Sequence, residues 1–127
     1  MAGVTYDTGA LVAAERNDRR MWSLHAGFLA EEVAPVVPAP VLAEAWRGGA
    51  RQASLSRFLA LCEVAPLSED QARRVGVLAG KASDDDIVHV TVVEGAARRG
   101  DAVVTSNERH IRRIAAAGGV RLEIALI

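Results

Sequence analysis

Cysteine occurs once, at Cys62, and lysine once, at Lys81. A lone thiol excludes an intrachain disulfide and a thiolate zinc site, and it fits a chain built for a reducing compartment. With lysine nearly absent, the basic side chains are arginines, whose planar guanidinium suits bidentate contacts to phosphate or carboxylate. Genome composition produces the same bias. No stretch approaches ~20 uncharged apolar residues, and Met1 to Asp7 has no basic start followed by an apolar run. The expectation is a soluble, cytoplasmic protein without membrane contact. An excess of charge of one sign is missing too: 15 Lys and Arg stand against 16 Asp and Glu, a formal net charge of −1. Such a chain lacks the positive field of a dedicated duplex binder, so any nucleic-acid contact has to be local.

Two absent motifs narrow the chemistry further. Asp7-Thr8-Gly9-Ala10 has neither the Walker lysine nor the three-glycine fingerprint, which argues against the nucleotide-cofactor enzymes that use those loops. No serine sits in a nucleophile elbow, and Cys62 stands in an apolar stretch that suits a buried, inert thiol.

What is present is apolar bulk in a repeating order. The 127 residues are 50% hydrophobic, enough for one domain over residues 1–127 that buries roughly two-thirds of its unfolded surface. Short apolar runs at Val4–Tyr6, Val33–Val37, Leu61–Val64, Ala102–Thr105 and Val120–Leu126 read as strands. Between them, helical spacing predicts helices at Ala10–Glu15, about 20–32, a segment carrying Glu44 that stops near Gly48-Gly49, 53–61, a capped helix from Ser68 to Lys81, and about Asp85 to Arg99. Asn107 caps a last helix with Ile111, Ile114 and Ala115 on one face. About five strands alternating with helices predict a three-layer α/β/α sandwich with a mostly parallel sheet. In such sheets a ligand site lies beyond the carboxyl ends of the strands. Asp7 and the segment Thr105 to Asn107 both fall at such ends.

The candidate chemistry is carried by acids. An aspartate directly after a buried strand is costly unless it is hydrogen-bonded or bound to a cation, so Asp7 either caps the following helix or serves a site. Glu44 lies in the otherwise apolar stretch Val41-Leu42-Ala43-Glu44-Ala45-Trp46 and reads either as an outer-edge residue or as a second acid. Asp84, Asp85 and Asp86 suit a helix start whatever the function. Several carboxylates converging on one pocket would call for a hard divalent cation, Mg²⁺ or Mn²⁺, and a centre of that kind activates water for attack on a phosphodiester. Trp22 and Trp46 read as packing residues.

Three pieces of sequence, in order, carry a resemblance: Val4-Thr5-Tyr6-Asp7-Thr8-Gly9-Ala10-Leu11, Val37-Pro38-Ala39-Pro40-Val41-Leu42-Ala43-Glu44-Ala45-Trp46, and Ala96-Ala97-Arg98-Arg99-Gly100-Asp101-Ala102-Val103-Val104-Thr105-Ser106-Asn107. The whole chain resembles PIN-domain proteins, specifically the small VapC-type toxin ribonucleases of toxin–antitoxin pairs. The resemblance implies an α/β/α sandwich and a metal-dependent endoribonuclease acting on tRNA or another RNA. It further implies a VapB-type antitoxin that inhibits the enzyme, for instance by an arginine reaching the acids, and a homodimer.

By that pattern Asp7 matches the first acid and Glu44 the second. The third acidic position falls on His89 and the fourth on Asn107, and His110 stands where related sequences often carry another aspartate. Asn107 keeps a neutral oxygen that can accept from a metal-bound water. His89 is the larger departure, because imidazole prefers softer metals and removes a negative charge. Asp86, three residues earlier, shares a helical face with His89 and can supply the missing carboxylate. The resemblance thus implies a catalytic set of Asp7, Glu44, Asp86 and Asn107, and metal ligands Asp7, Glu44, Asp86 and His89. Thr8, Thr105 and Ser106 stand beside them as substrate-binding hydroxyls. The alternative is a catalytically impaired PIN domain that binds RNA or an antitoxin.

Overall fold

Val4, Thr5 and Tyr6 are β-branched or aromatic, and in the computed structural model they form the fully buried strand β1 (Val4–Tyr6). The structure describes residues 3–127, so Met1 and Ala2, which the expected domain includes, lie outside the described residues. Four more strands join β1: β2 (Val36–Pro38), β3 (Glu63–Ala65), β4 (Ala102–Thr105) and β5 (Ile124–Leu126). Their order is β3-β2-β1-β4-β5, with every neighbouring pair parallel. Parallel pairing demands crossovers, and helices supply them. These are α1 (Thr8–Glu15) and α2 (Arg19–Ala30), then α3 (Ala39–Ala45), a 3₁₀ turn (Ala50–Gln52) and α4 (Ala53–Leu59). After β3 come α5 (Glu69–Ala82) and α6 (Ile87–Arg99), and after β4 comes α7 (Glu108–Ala117). The result is the expected α/β/α sandwich around a five-stranded parallel sheet.

The strand order reverses beside β1, because the chain moves outward to β2 and β3 and then returns to lay β4 on the other side. That reversal opens a crevice at the carboxyl ends of β1 and β4. Beneath it the Tyr6 ring stacks on Phe58 at 5.3 Å, and its hydroxyl meets His25 Nδ1 at 2.8 Å. Burial pushes the His25 imidazole below its ordinary value against the raising influence of the Phe58 backbone. Trp22 packs edge-on against Phe58, whereas Trp46 is 40% exposed. Cys62 is half-buried with its thiol pushed up to about 12 by burial, an unreactive setting.

Several boundaries shift from the sequence expectation for local reasons. Asp7 and Asp86 are the caps of α1 and α6, so α1 starts at Thr8 and α6 at Ile87. β2 covers 36–38 rather than 33–37, because the Val33 N–H bonds back to Phe28 and closes α2. β3 covers 63–65 rather than 61–64, since the Cys62 N–H bonds to Leu59. β5 begins at Ile124 rather than Val120: the Val120 N–H bonds to Ala115 after Gly119 turns with φ 67°. Far from the crevice, Asp101 joins the starts of β1 and β4 by accepting from the Thr5 hydroxyl at 2.8 Å and from Arg99 at 3.0 Å.

Candidate acidic site and its histidines

Pairing of β1 with β4 runs on to Asp7, whose N–H bonds to the Val104 carbonyl at 2.9 Å. The chain then turns into α1 with Asp7 as its N-cap, and Oδ1 accepts from the Thr8 N–H at 2.8 Å. Oδ2 accepts from the Thr105 hydroxyl at 2.7 Å. That hydroxyl in turn accepts from the Asn107 N–H at 2.9 Å, so its proton is directed at Asp7. Asp7 is 1% exposed. Glycine is required at position 9, where a Cβ would stand 2.7 Å from Ser106 Cβ and 3.0 Å from the Ser106 nitrogen.

Helix α6 brings His89 up to Asp7. Asp86 caps the helix by accepting from the His89 N–H at 3.2 Å, and its other oxygen meets His89 Nδ1 at 2.6 Å. The opposite ring nitrogen, Nε2, lies 3.2 Å from Asp7 Oδ2. His89 therefore stands between two carboxylates. His110, on the first turn of α7, repeats the pattern three residues after its own cap Asn107. Its Nε2 meets Asp84 Oδ2 at 2.6 Å, its Nδ1 lies 4.0 Å from Asp86 Oδ2, and its ring centroid is 4.4 Å from that of His89. Asp84 also accepts from the Asp86 N–H at 2.9 Å and from Arg113 at 3.1 Å.

The charges follow from these contacts. The hydrogen bond to Asp7 raises the His89 imidazole; burial opposes it, Asp86 adds to it, and the result is about 9, so His89 is protonated at neutral pH. Burial alone would raise the Asp7 carboxyl, but the bonds from His89, Thr105 and Thr8 outweigh it and hold Asp7 below its ordinary value. Burial likewise opposes the lowering of Asp84, yet the Asp86 N–H, His110 and Arg113 together bring it to about 2.

A cleft of about 580 Å³ opens over Asp7. Thr8, Glu44, His89, Ser106 and Asn107 share its wall, with Arg16 and Asp18 also on the rim. Glu44 is exposed and accepts from the Thr8 hydroxyl at 2.6 Å. Of the site residues expected from the sequence, five line this cleft together with Asp7, and Thr105 is buried directly behind it. Asp86 does not line it and reaches Asp7 only through the His89 ring.

Comparisons with known proteins bear on the fold. No family model matches the chain, and no curated protein matches it either. Among solved structures, a chain of VapBC2 from Rickettsia felis, crystallised bound to a DNA fragment from their promoter, matches with a TM-score of 0.75. The identity is 17%, and the match covers 97% of this chain and 97% of that one. The fold is PIN-like. On this PIN-like frame the acid site is altered: where the resemblance implies a third acid, the His89 imidazole stands between Asp7 and Asp86.

Hard cations such as Mg²⁺ take oxygen ligands, carboxylates above all. Here His89 Nε2, 3.2 Å from Asp7 Oδ2, stands where the resemblance implies a third carboxylate, and Asp7 and Glu44 are the acids of the expected set that line the cleft. That donor set does not fit an all-oxygen centre. A different grouping does gather ligand atoms: Asp86, His89 and His110 each offer one within 4.8 Å of the others, close enough to hold a divalent ion. Asp84 and His110 were not assigned to the site from sequence. The legible signals are that His110 stands where related sequences often carry an aspartate, three residues after the Asn107 cap, and that Asp84 opens the acidic run Asp84 to Asp86.

Among the described residues no helix is long and apolar enough to cross a membrane.

Proposed function

We propose that this PIN-like domain is a binding module of a toxin–antitoxin pair, seating an arginine-bearing segment of an antitoxin in its acidic cleft. The observation that carries the reading is His89, whose ring nitrogens lie 3.2 Å from Asp7 and 2.6 Å from Asp86. Metal-dependent hydrolysis needs several carboxylates gathered around cations, whereas here an imidazole stands between two of the carboxylates. The cleft rim favours a peptide over RNA: Asp18 and Glu44 oppose phosphates, with Arg16 the one full-time cation beside them. A partner guanidinium would pair bidentately with Glu44, a charge-assisted contact stronger than a neutral hydrogen bond. The structural likeness to a VapBC2 chain supports an antitoxin as the partner. The reading includes one domain over residues 1–127, a cytoplasmic setting and a homodimer.

A second reading is favoured by Asp7 and Glu44 lining one cleft with Asn107 and the hydroxyls of Thr8 and Ser106. It is a metal-dependent endoribonuclease, with Asp7, Glu44, Asp86 and Asn107 catalytic and Mg²⁺ or Mn²⁺ held with the help of His89.

Cleavage of total RNA by the purified chain with Mg²⁺, with Mn²⁺ and with chelator separates the two, alongside Asp7→Asn and the acid-restoring pair His89→Asp with Asn107→Asp. The binding reading expects no metal-dependent cutting above the Asp7→Asn background, with cutting gained in the restored pair. Metal-dependent cutting by the unaltered chain that Asp7→Asn abolishes would establish the nuclease. Calorimetric titration with an arginine-bearing peptide and with a single-stranded RNA of equal length tests the partner. Peptide binding weakened by Glu44→Gln supports the proposal, and tighter RNA binding rejects it.

A further inference from the structure

We infer that Asp86, His89 and His110 form a site for a borderline transition-metal ion of the Zn²⁺ class. The three side chains come from the first turns of α6 and α7 and the cap of α6, and their ligand atoms lie within 4.8 Å of one another.

The independent observation is what stands behind each imidazole. Histidines that bind metal through one ring nitrogen commonly donate the other to a carboxylate, which fixes ring orientation and raises the basicity of the ligating nitrogen. Both histidines here have that arrangement. Asp7 Oδ2 lies 3.2 Å from His89 Nε2, and Asp84 Oδ2 lies 2.6 Å from His110 Nε2. In each ring the remaining nitrogen, Nδ1, faces Asp86 Oδ2, at 2.6 Å for His89 and 4.0 Å for His110. The supporting carboxylates are themselves held, Asp7 by Thr105 and Thr8, Asp84 by Arg113 and the Asp86 N–H. Asp86 is oriented by the His89 N–H on its other oxygen.

Two imidazoles and one carboxylate suit Zn²⁺, Co²⁺ or Ni²⁺ and disfavour Mg²⁺. Three protein ligands leave a fourth position open. All three residues are partly exposed, so an ion can reach them. On binding, the proton shared between His89 Nδ1 and Asp86 Oδ2 leaves to solvent and the metal takes its place, while Asp7 keeps the proton on Nε2.

The test is titration of the chelator-treated, full-length chain with Co²⁺, followed by visible ligand-field absorption and competition. The expected result is saturation at one ion per chain, displacement by Zn²⁺, and no displacement by a large excess of Mg²⁺. His110→Ala should abolish the absorption, with far-ultraviolet dichroism showing that the variant is folded. Asp84→Asn keeps all three ligands and should weaken Co²⁺ binding by about 10- to 100-fold. Absorption unchanged in folded His110→Ala, equal competition by Mg²⁺, or no absorption at all would overturn the proposal and leave the histidines as parts of an ion-pair network. The readout involves neither RNA nor peptide, so it stands or falls apart from the functional proposal above.

Discussion

His89 Nε2 lies 3.2 Å from Asp7 Oδ2, joining α6 to the carboxyl end of β1 through a charge pair in which Asp7 is buried and His89 is partly exposed. The pair does locally what a bound cation would do: it compensates an aspartate that sits on a buried strand end. Removing either partner leaves the other to be accommodated alone.

Stability should fall as pH rises across the His89 transition. The folded imidazole stands at about 9, above its ordinary 6.5. Its contribution is fully present below about pH 6.5 and is lost as pH climbs through the folded value. Melting temperature recorded from pH 6 to 10 should decline for the unaltered chain and decline less for His89→Ala. At the acid end the sign reverses: the contribution of Asp84, held at about 2, is present above the ordinary carboxylate value and lost as pH falls toward the folded one.

His89→Ala should cost about 2 kcal/mol at neutral pH, somewhat below the penalty for breaking a fully buried pair. Adding Asp7→Asn in that background should cost less than it does alone, giving a coupling on the order of 1 kcal/mol in a double-mutant cycle. Urea unfolding of the four proteins measures it. Additive losses would show that the two side chains do not act as a pair.

Thr105→Val keeps the shape of the side chain but removes the hydroxyl that serves both Asp7 Oδ2 and the Asn107 N–H. Leaving those groups short of a partner should cost about 1–3 kcal/mol. Thermal unfolding is a sufficient check, and a neutral outcome would mean that water replaces the hydroxyl.

Gly9→Ala should destabilise by about 1–3 kcal/mol through overpacking, because the new methyl meets the Ser106 side chain and its backbone nitrogen. Adding Ser106→Gly should restore part of the loss but not all of it, since the backbone contact at 3.0 Å remains. Full restoration would mean that the backbone there yields easily.

The sandwich was legible because β1 and β4 are short, wholly apolar or β-branched runs, and because helical spacing fills the stretches between them. Where strand limits were misplaced, at Val33 and Val120, valines that look like strand are spent on closing α2 and α7. Asp7 was legible as a charge at the end of a buried strand. The roles of Asp86 and His89 were not separable, because i and i+3 share a face in any helix. Asp86 proves to be the cap, so the first-turn residue behind it is the one turned toward Asp7. The bonds between His110 and Asp84, 26 residues apart, and between Thr8 and Glu44, 36 apart, come only from the tertiary fold.

The two polar links that fasten β1 to β4, Thr5 with Asp101 and Asp7 with Thr105, span 96 and 98 residues of chain. During synthesis β1 emerges before β4 and waits for that neighbour until nearly a hundred further residues have been made. Until β4 leaves the ribosome, Asp7 has neither the Thr105 hydroxyl nor the Val104 carbonyl beside it, and the cleft lacks the side that Ser106 and Asn107 supply. The site is therefore completed only once β4 has been made, and a chain that stops before β4 carries Asp7 without its Thr105 partner and without the Ser106 and Asn107 side of the cleft.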